Sequence, residues 1–173
     1  MESFIVFEPG IHREIFRDLS EEYFEWMASE LLKNYGIDAY SIVRMTSLDY
    51  VENSIDELVS SFSSNGVFYL IQKDGKIIGM GALHKLREGI GEIKRMYIKP
   101  KYQGIGLGKR MLELLLSKAQ EFGFSAIYLE TGKFMKAAQH LYRSAGFHNR
   151  EQYPDVEVPP QLQHYWLFME KKL

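Results

Sequence analysis

The chain contains no cysteine, which removes disulfides, thiolate metal ligands and a cysteine nucleophile together. Covalent catalysis, if any, has to use another group. No single charge dominates either: the formal net charge is -2 over 173 residues, with acidic and basic side chains interleaved. Neither nucleic acid nor a membrane surface is an expected partner. The stretch "MESFIVFEPGIHREIF" has an acidic residue at position 2 and an apolar run of only four. That is too short for a signal peptide or a spanning helix, so a cytoplasmic protein is expected. Internal repeats, linkers and low-complexity segments are absent, no His/Asp/Glu group has metal-ligand spacing, and no serine sits in a nucleophile elbow.

What is present suits one domain over residues 1–173, since 46% hydrophobic and 14% aromatic content supports a real core at this length. "FIVFE" (4–8) reads as a strand ended by Pro9-Gly10. "LSEEYFEWMASELLKNYG" reads as a helix capped by Ser20 and stopped by Gly36, with Phe24, Met27, Leu31 and Leu32 on one face. A second helix is predicted over 47–62. Asn65-Gly66 then turns the chain into the strand 67–72, and Asp74-Gly75 makes a hairpin into "KIIGMGALHKL". Next come "GEIKRMYIKP" (91–100), a helix from 106 to 121, the strand 125–131, the helix "MKAAQHLYRSAG" stopped by Gly146, and a last strand in "HYWLFMEKK". "YPDVEVPPQ" (153–161) reads as a surface loop. A strand-helix-strand unit after antiparallel strands makes the sheet mixed.

Three glycines, Gly104, Gly106 and Gly108, stand just before a strongly helical run. Glycine costs about 1 kcal/mol against alanine inside a helix, so a bare backbone there has a purpose. Between a strand and a helix, glycines let N–H groups converge on an anion beside the positive end of the helix dipole. A dinucleotide fingerprint, G-x-G-x-x-G, fits G-I-G-L-G poorly, and a Walker loop is excluded because Lys109 is followed by Arg110.

"YIKPKYQGIGLGKRML" resembles motif A of the GNAT acetyltransferase superfamily, Q/R-x-x-G-x-G/A, with Gln103 first, Gly106 fourth and Gly108 sixth. "KAAQHLYRSAGF" is similar to the motif B helix of the same family. The resemblance spans residues 67 to 147, with motif A over about 92–121 and motif B over about 125–147. It implies an α+β domain: a mixed, mostly antiparallel sheet of roughly six to seven strands, splayed between strands four and five and flanked by about four helices. It implies acetyl-CoA as donor, with the pyrophosphate cradled by the backbone of Gln103, Gly104, Ile105, Gly106, Leu107, Gly108 and Lys109. Met96, Tyr97 and Ile98 would pair with the pantetheine like an added strand. Lys109 and Arg110 could reach phosphates or sit in solvent. Many relatives carry asparagine where this chain has Met135, so contacts of that asparagine do not carry over.

An amine attacks a thioester only as the free base, so a proton must leave it and another must reach the departing thiolate. Tyr142 occupies the family's general-acid position, with core packing as the alternative. An N–H near Met96 or Tyr97 would meet the carbonyl oxygen. Glu92 stands where several relatives carry a catalytic glutamate acting through water, the alternative being an exposed carboxylate at a strand start. Glu130, closing the strand "AIYLE", is its rival as base or substrate anchor. His84 reads as structural and His140 as surface. The expected function is N-acetyl transfer from acetyl-CoA to a primary amine on a small molecule or peptide, directly in a ternary complex. A non-catalytic acetyl-CoA sensor and a transferase for a longer acyl-CoA are the alternatives, and a homodimer stays open. Acceptor groups are expected in 20–50 and after motif B, where "SEEYFEW", Tyr35, Tyr40 and Tyr50 could hold a cation.

Overall fold

Alternate residues of the strand Val67–Lys73 face opposite sides of a sheet, and two core clusters follow from that. Tyr69 and Ile71 pack with Met111, Leu112 and Leu115, whereas Phe68 and Leu70 pack with Phe16 and Leu19. A helix therefore covers each face. The computed structural model describes residues 2–44, 46–49, 51, 52, 55, 60 and 65–173. Its strands are β1 (Glu2–Val6), β2 (Val67–Lys73), β3 (Lys76–Arg87), β4 (Ile90–Ile98), β5 (Ala126–Gly132), β6 (His148–Arg150) and β7 (Trp166–Lys172). They form one sheet in the order β1-β2-β3-β4-β5-β7-β6. The β4–β5 pair is parallel and the rest are antiparallel.

The helices are α1 (Pro9–Tyr35), α2 (Ala39–Val43), α3 (Leu107–Glu121) and α4 (Lys136–Ser144). The predicted cap at Ser20 is overturned: α1 starts at Pro9, and Ser20 lies inside it on the buried face. Proline is suited to a first helical turn, where its missing N–H has no partner to lose. The apolar spacing also runs back through Phe16 and Leu19. Gly36 ends α1 as expected, at φ 68. Of the helix predicted over 47–62, residues 47–49, 51, 52, 55 and 60 are helical and the rest lie outside the described residues. The segment 153–161 is no mere surface loop, for Tyr153 is 1% exposed and Val158 is buried with it. No helix among the described residues is long and apolar enough to cross a membrane.

Two irregularities in β4 shape the centre of the sheet. Its pairing with β5 stops at Ile93 and Leu129, after which the two strands part. On the other side, Ala82 pairs with Lys94 but Met80 with Tyr97, so Arg95 and Met96 together oppose Gly81. That is a β-bulge, and Arg95 sits in it at φ 52. Gly79 keeps β3 against the end of β4: a Cβ there would lie 2.7 Å from the Tyr97 carbonyl oxygen and 3.1 Å from Ile71. Backbone cannot yield as a side chain tip can. Gly79→Ala is expected to destabilise the protein by about 1–3 kcal/mol, read as a lower urea midpoint. An unchanged midpoint would contradict this close packing.

Candidate active site

Past Ile93, one edge of β4 borders a groove of about 560 Å³ whose other walls are α4 and the loop before α3. Met96, Tyr97 and Ile98 line it, as do Gln103, Gly104, Gly106, Leu107, Gly108 and Lys109. Ile105 is half exposed to solvent beside them. Gly104 and Gly106 hold φ 78 and φ 86, where a side chain is strained. Gly108 is different: a Cβ would make ordinary contacts at 3.4 Å from Leu141 and 3.7 Å from Ile98. Two of the three glycines are thus demanded by backbone conformation, and the third only keeps the groove open. Among the described residues, the N–H groups of 104–109 have no backbone acceptor. They sit at the positive end of α3. The Gln103 side chain donates to the Ile98 carbonyl at 2.7 Å, which ties the loop to the end of β4.

The basic side chains divide. Arg110 is engaged by Glu2 at 2.8 Å and lies over the Phe4 ring. Lys109 is largely exposed, 3.9 Å from Glu113. On α4, Tyr142 is buried against Phe147 and lines the groove, and burial pushes its phenol well up. Met135 caps that helix, with the Thr131 hydroxyl 3.7 Å from its sulfur. Tyr97 and Lys99 both donate to Glu22 of α1, at 2.9 and 2.6 Å.

A second, smaller pocket of about 120 Å³ lies across the bulge, lined by Glu92, Lys94, Arg95, Glu130 and Glu157. Tyr23 is the one described residue that lines both cavities. Glu92 is fully buried, which excludes the exposed-carboxylate alternative. It accepts from the Tyr153 hydroxyl at 2.6 Å and contacts His84 Nε2 at 2.8 Å and Lys94 Nζ at 3.2 Å. Lys94 also reaches Glu157 at 2.7 Å. Burial opposes its charge, but Glu157 and Glu92 outweigh that and hold its pKa above the usual value. Glu130 accepts the N–H groups of Glu157 and Val158 at 2.8 and 3.3 Å. Burial, with the nearby charges of Glu92 and Glu157, pushes its carboxyl up to about 7.

The structure thus brings Glu92 and Glu130 to one pocket and Tyr142 to the other. His84 sits in the Glu92 network and His140 is exposed. Tyr35 packs against Tyr165 with the rings tilted, Tyr40 is held by Glu25, and Tyr50 lies outside the described residues. Tyr153, Glu157 and Lys94 were not foreseen. Lys94 had a signal, since it follows Glu92 by two and so shares its strand face. Tyr153 and Glu157 had none, because they come from a proline-bearing segment without periodicity.

The sequence matches the model of the acetyltransferase (GNAT) family over residues 14–147. It is 36% identical over 107 residues to an IAA acetyltransferase of Azospirillum brasilense, covering 61% of this chain and 67% of that protein. An N-acetyltransferase of Escherichia coli, YjgM, is 30% identical over 120 residues, with 61% and 72% covered. A GNAT-family acetyltransferase from Staphylococcus aureus superposes with a TM-score of 0.72 at 18% identity, over 100% of this chain and 99% of that one. A PaiA N-acetyltransferase from Thermoplasma acidophilum, solved in complex with coenzyme A, gives 0.69 at 17% identity, over 100% and 99%. Such distant structures speak for the fold, while the family model covers well over half the sequence and includes both motifs: the chain belongs to the GNAT acetyltransferase family.

Proposed function

We propose that the protein transfers the acetyl group of acetyl-CoA directly to a primary amine, the donor lying in the larger groove and the acceptor in the smaller pocket. The observation that carries this is the pair of cavities meeting at the β4 bulge, one ending in free N–H groups at a helix start and the other holding carboxylates. Backbone donors and the α3 dipole suit a pyrophosphate. The parted edge of β4 at 96–98 suits the pantetheine amides. Acetyl-CoA supplies the thioester, and coenzyme A leaves as the free thiol once the acetyl group has passed to the amine.

The residues divide the proton traffic. Glu130 takes a proton from the acceptor ammonium, directly or through one water, because a carboxyl near 7 is matched to general-base work at neutral pH. Sequence placed Glu92 first; the surroundings favour the reverse order, since three side chains share the two Glu92 oxygens, whereas each Glu130 oxygen accepts a single N–H and keeps a lone pair. Glu92 then serves to hold Lys94 and Tyr153 at the pocket wall. An N–H of Met96 or Tyr97, freed where the bulge interrupts the ladder, meets the charge growing on the carbonyl oxygen. The attacking nitrogen sheds its second proton to solvent as the tetrahedral intermediate forms, Tyr142 gives its proton to the departing thiolate and recovers one from solvent, and Glu130 returns its own proton to solvent.

Thiol release from acetyl-CoA with a panel of amines tests the reading; no release with any amine would overturn it. A sharper check is Glu130→Gln. A base works only when deprotonated, so the wild-type rate should climb as pH rises through about 7. Glu130→Gln should lose that limb and fall about tenfold near neutrality, recovering as more amine arrives unprotonated. The same shift affects folding: between 4.5 and about 7 the folded protein holds a proton that the unfolded chain has lost. Wild-type stability therefore falls as pH rises through that window, and the variant should lack this slope. An unchanged pH–rate profile would remove Glu130 as base.

A further inference from the structure

Two residues that line the smaller pocket carry buried donors that no described residue takes up. Ser20 Oγ and Arg95 Nε are both buried without a hydrogen-bond partner among the described residues. Both residues line the pocket, and Ser20 is only 1% exposed. A buried donor left unmade costs about 1–3 kcal/mol, and native structures leave few of them unexplained. Ser20 stands in mid-helix, where a hydroxyl normally folds back onto the preceding turn or reaches water. It does neither.

Arg95 is the stronger signal. It holds φ 52 in the bulge, a conformation that glycine adopts freely and a side chain only at about 1–2 kcal/mol. An arginine kept at such a position retains its guanidinium at a cost. The acidic neighbours do not account for it: Glu92 is shared by Tyr153, His84 and Lys94, Glu157 is engaged by Lys94, and Glu130, with one backbone N–H on each oxygen, makes no ion pair with Arg95 among the described residues. Arg95 forms no ion pair among the described residues, although its charge is felt at Glu157. A planar guanidinium and a hydroxyl lining the same pocket suit a carboxylate. The remaining wall is apolar, formed by Phe24, Met27, Leu31, Val43, Leu162 and Trp166.

On the transferase reading above, we infer that the acceptor is a free amino acid with an apolar side chain, its carboxylate held by Arg95 and Ser20. The three parts of such a molecule match the three chemistries present: ammonium to Glu130, carboxylate to the two unpaired donors, side chain to the apolar wall. Other amines match less. A polyamine brings no acceptor for Arg95, and an aminoglycoside would bury hydroxyls against the apolar wall.

The test uses the full-length enzyme with acetyl-CoA and matched probes: L-leucine, L-methionine and L-phenylalanine, each beside its carboxamide and its decarboxylated amine. Thiol release should favour the acids by at least about tenfold in kcat/KM, the range of a charge-assisted hydrogen bond. Arg95→Gln should raise KM for the acids by about tenfold to a hundredfold and leave KM for the carboxamides unchanged; Ser20→Ala should act the same way, more weakly. Equal use of acids and carboxamides by the wild-type enzyme overturns the inference without needing any variant to fold. So does an equal rise of KM for both in Arg95→Gln. If other amines release thiol and none of the acids does, the inference fails and the transferase reading stands. If calorimetry finds no acetyl-CoA binding, both fail.

Discussion

Tyr142→Phe should lower turnover by about 10²–10⁴-fold while leaving the unfolding midpoint near that of the wild type. The substitution keeps the ring that packs on Phe147 and removes only the hydroxyl. Burial holds the phenol far above its usual range, so it stays protonated at any working pH and is a donor, not a base. On the proposed reaction, the departing thiolate is the group in the groove that needs that proton. KM for acetyl-CoA should move little, because the lost interaction belongs to the departing sulfur and not to the bound thioester. Thiol release under saturating acetyl-CoA is the measurement. Turnover within a fewfold of wild type would return Tyr142 to its other reading, a packing residue under α4.

Gly106→Glu should weaken acetyl-CoA binding at least about a hundredfold, as expected when charge-assisted hydrogen bonds to phosphate are lost. A carboxylate would stand where the phosphates are proposed to lie. The free protein has room for it, since a Cβ at Gly106 meets nothing within 4 Å. An acidic group near the start of α3 also suits the helix dipole, which limits the damage to folding. Gly106→Ala separates the causes: it carries the strain of φ 86 without the charge and should lose far less affinity. Calorimetry on the folded variants decides. Undiminished affinity in Gly106→Glu would place the donor elsewhere.

Much of this site was legible because its signals are local. The glycines before α3, the Asp74-Gly75 hairpin and the Gly146 stop each report a backbone conformation that few other residues adopt, and all three appear where expected, at φ 78 and 86, 77 and 90. Features that depend on distant contacts were not legible. The Arg95 bulge carries no glycine to announce it. Glu92 looks like any carboxylate at a strand start until β3 places His84 opposite it and the segment after β6 brings Tyr153 onto it. The start of α1 was misread for another reason. Pro9-Gly10 marks a turn in one context and a first helical turn in another, and only the packing of Phe16 and Leu19 decides between them.

The two cavities draw their walls from different parts of the chain and have Tyr23 alone in common among the described residues. The larger one is built on β4, the glycine loop and α4; the smaller takes most of its lining from α1, α2 and the segment 157–166. On the proposed division of roles, lineages can exchange one client for another by substitutions in the latter set while the proposed donor groove is inherited intact. Divergence of this fold has a seam, and Tyr23 is the side chain on it that must satisfy both inheritances.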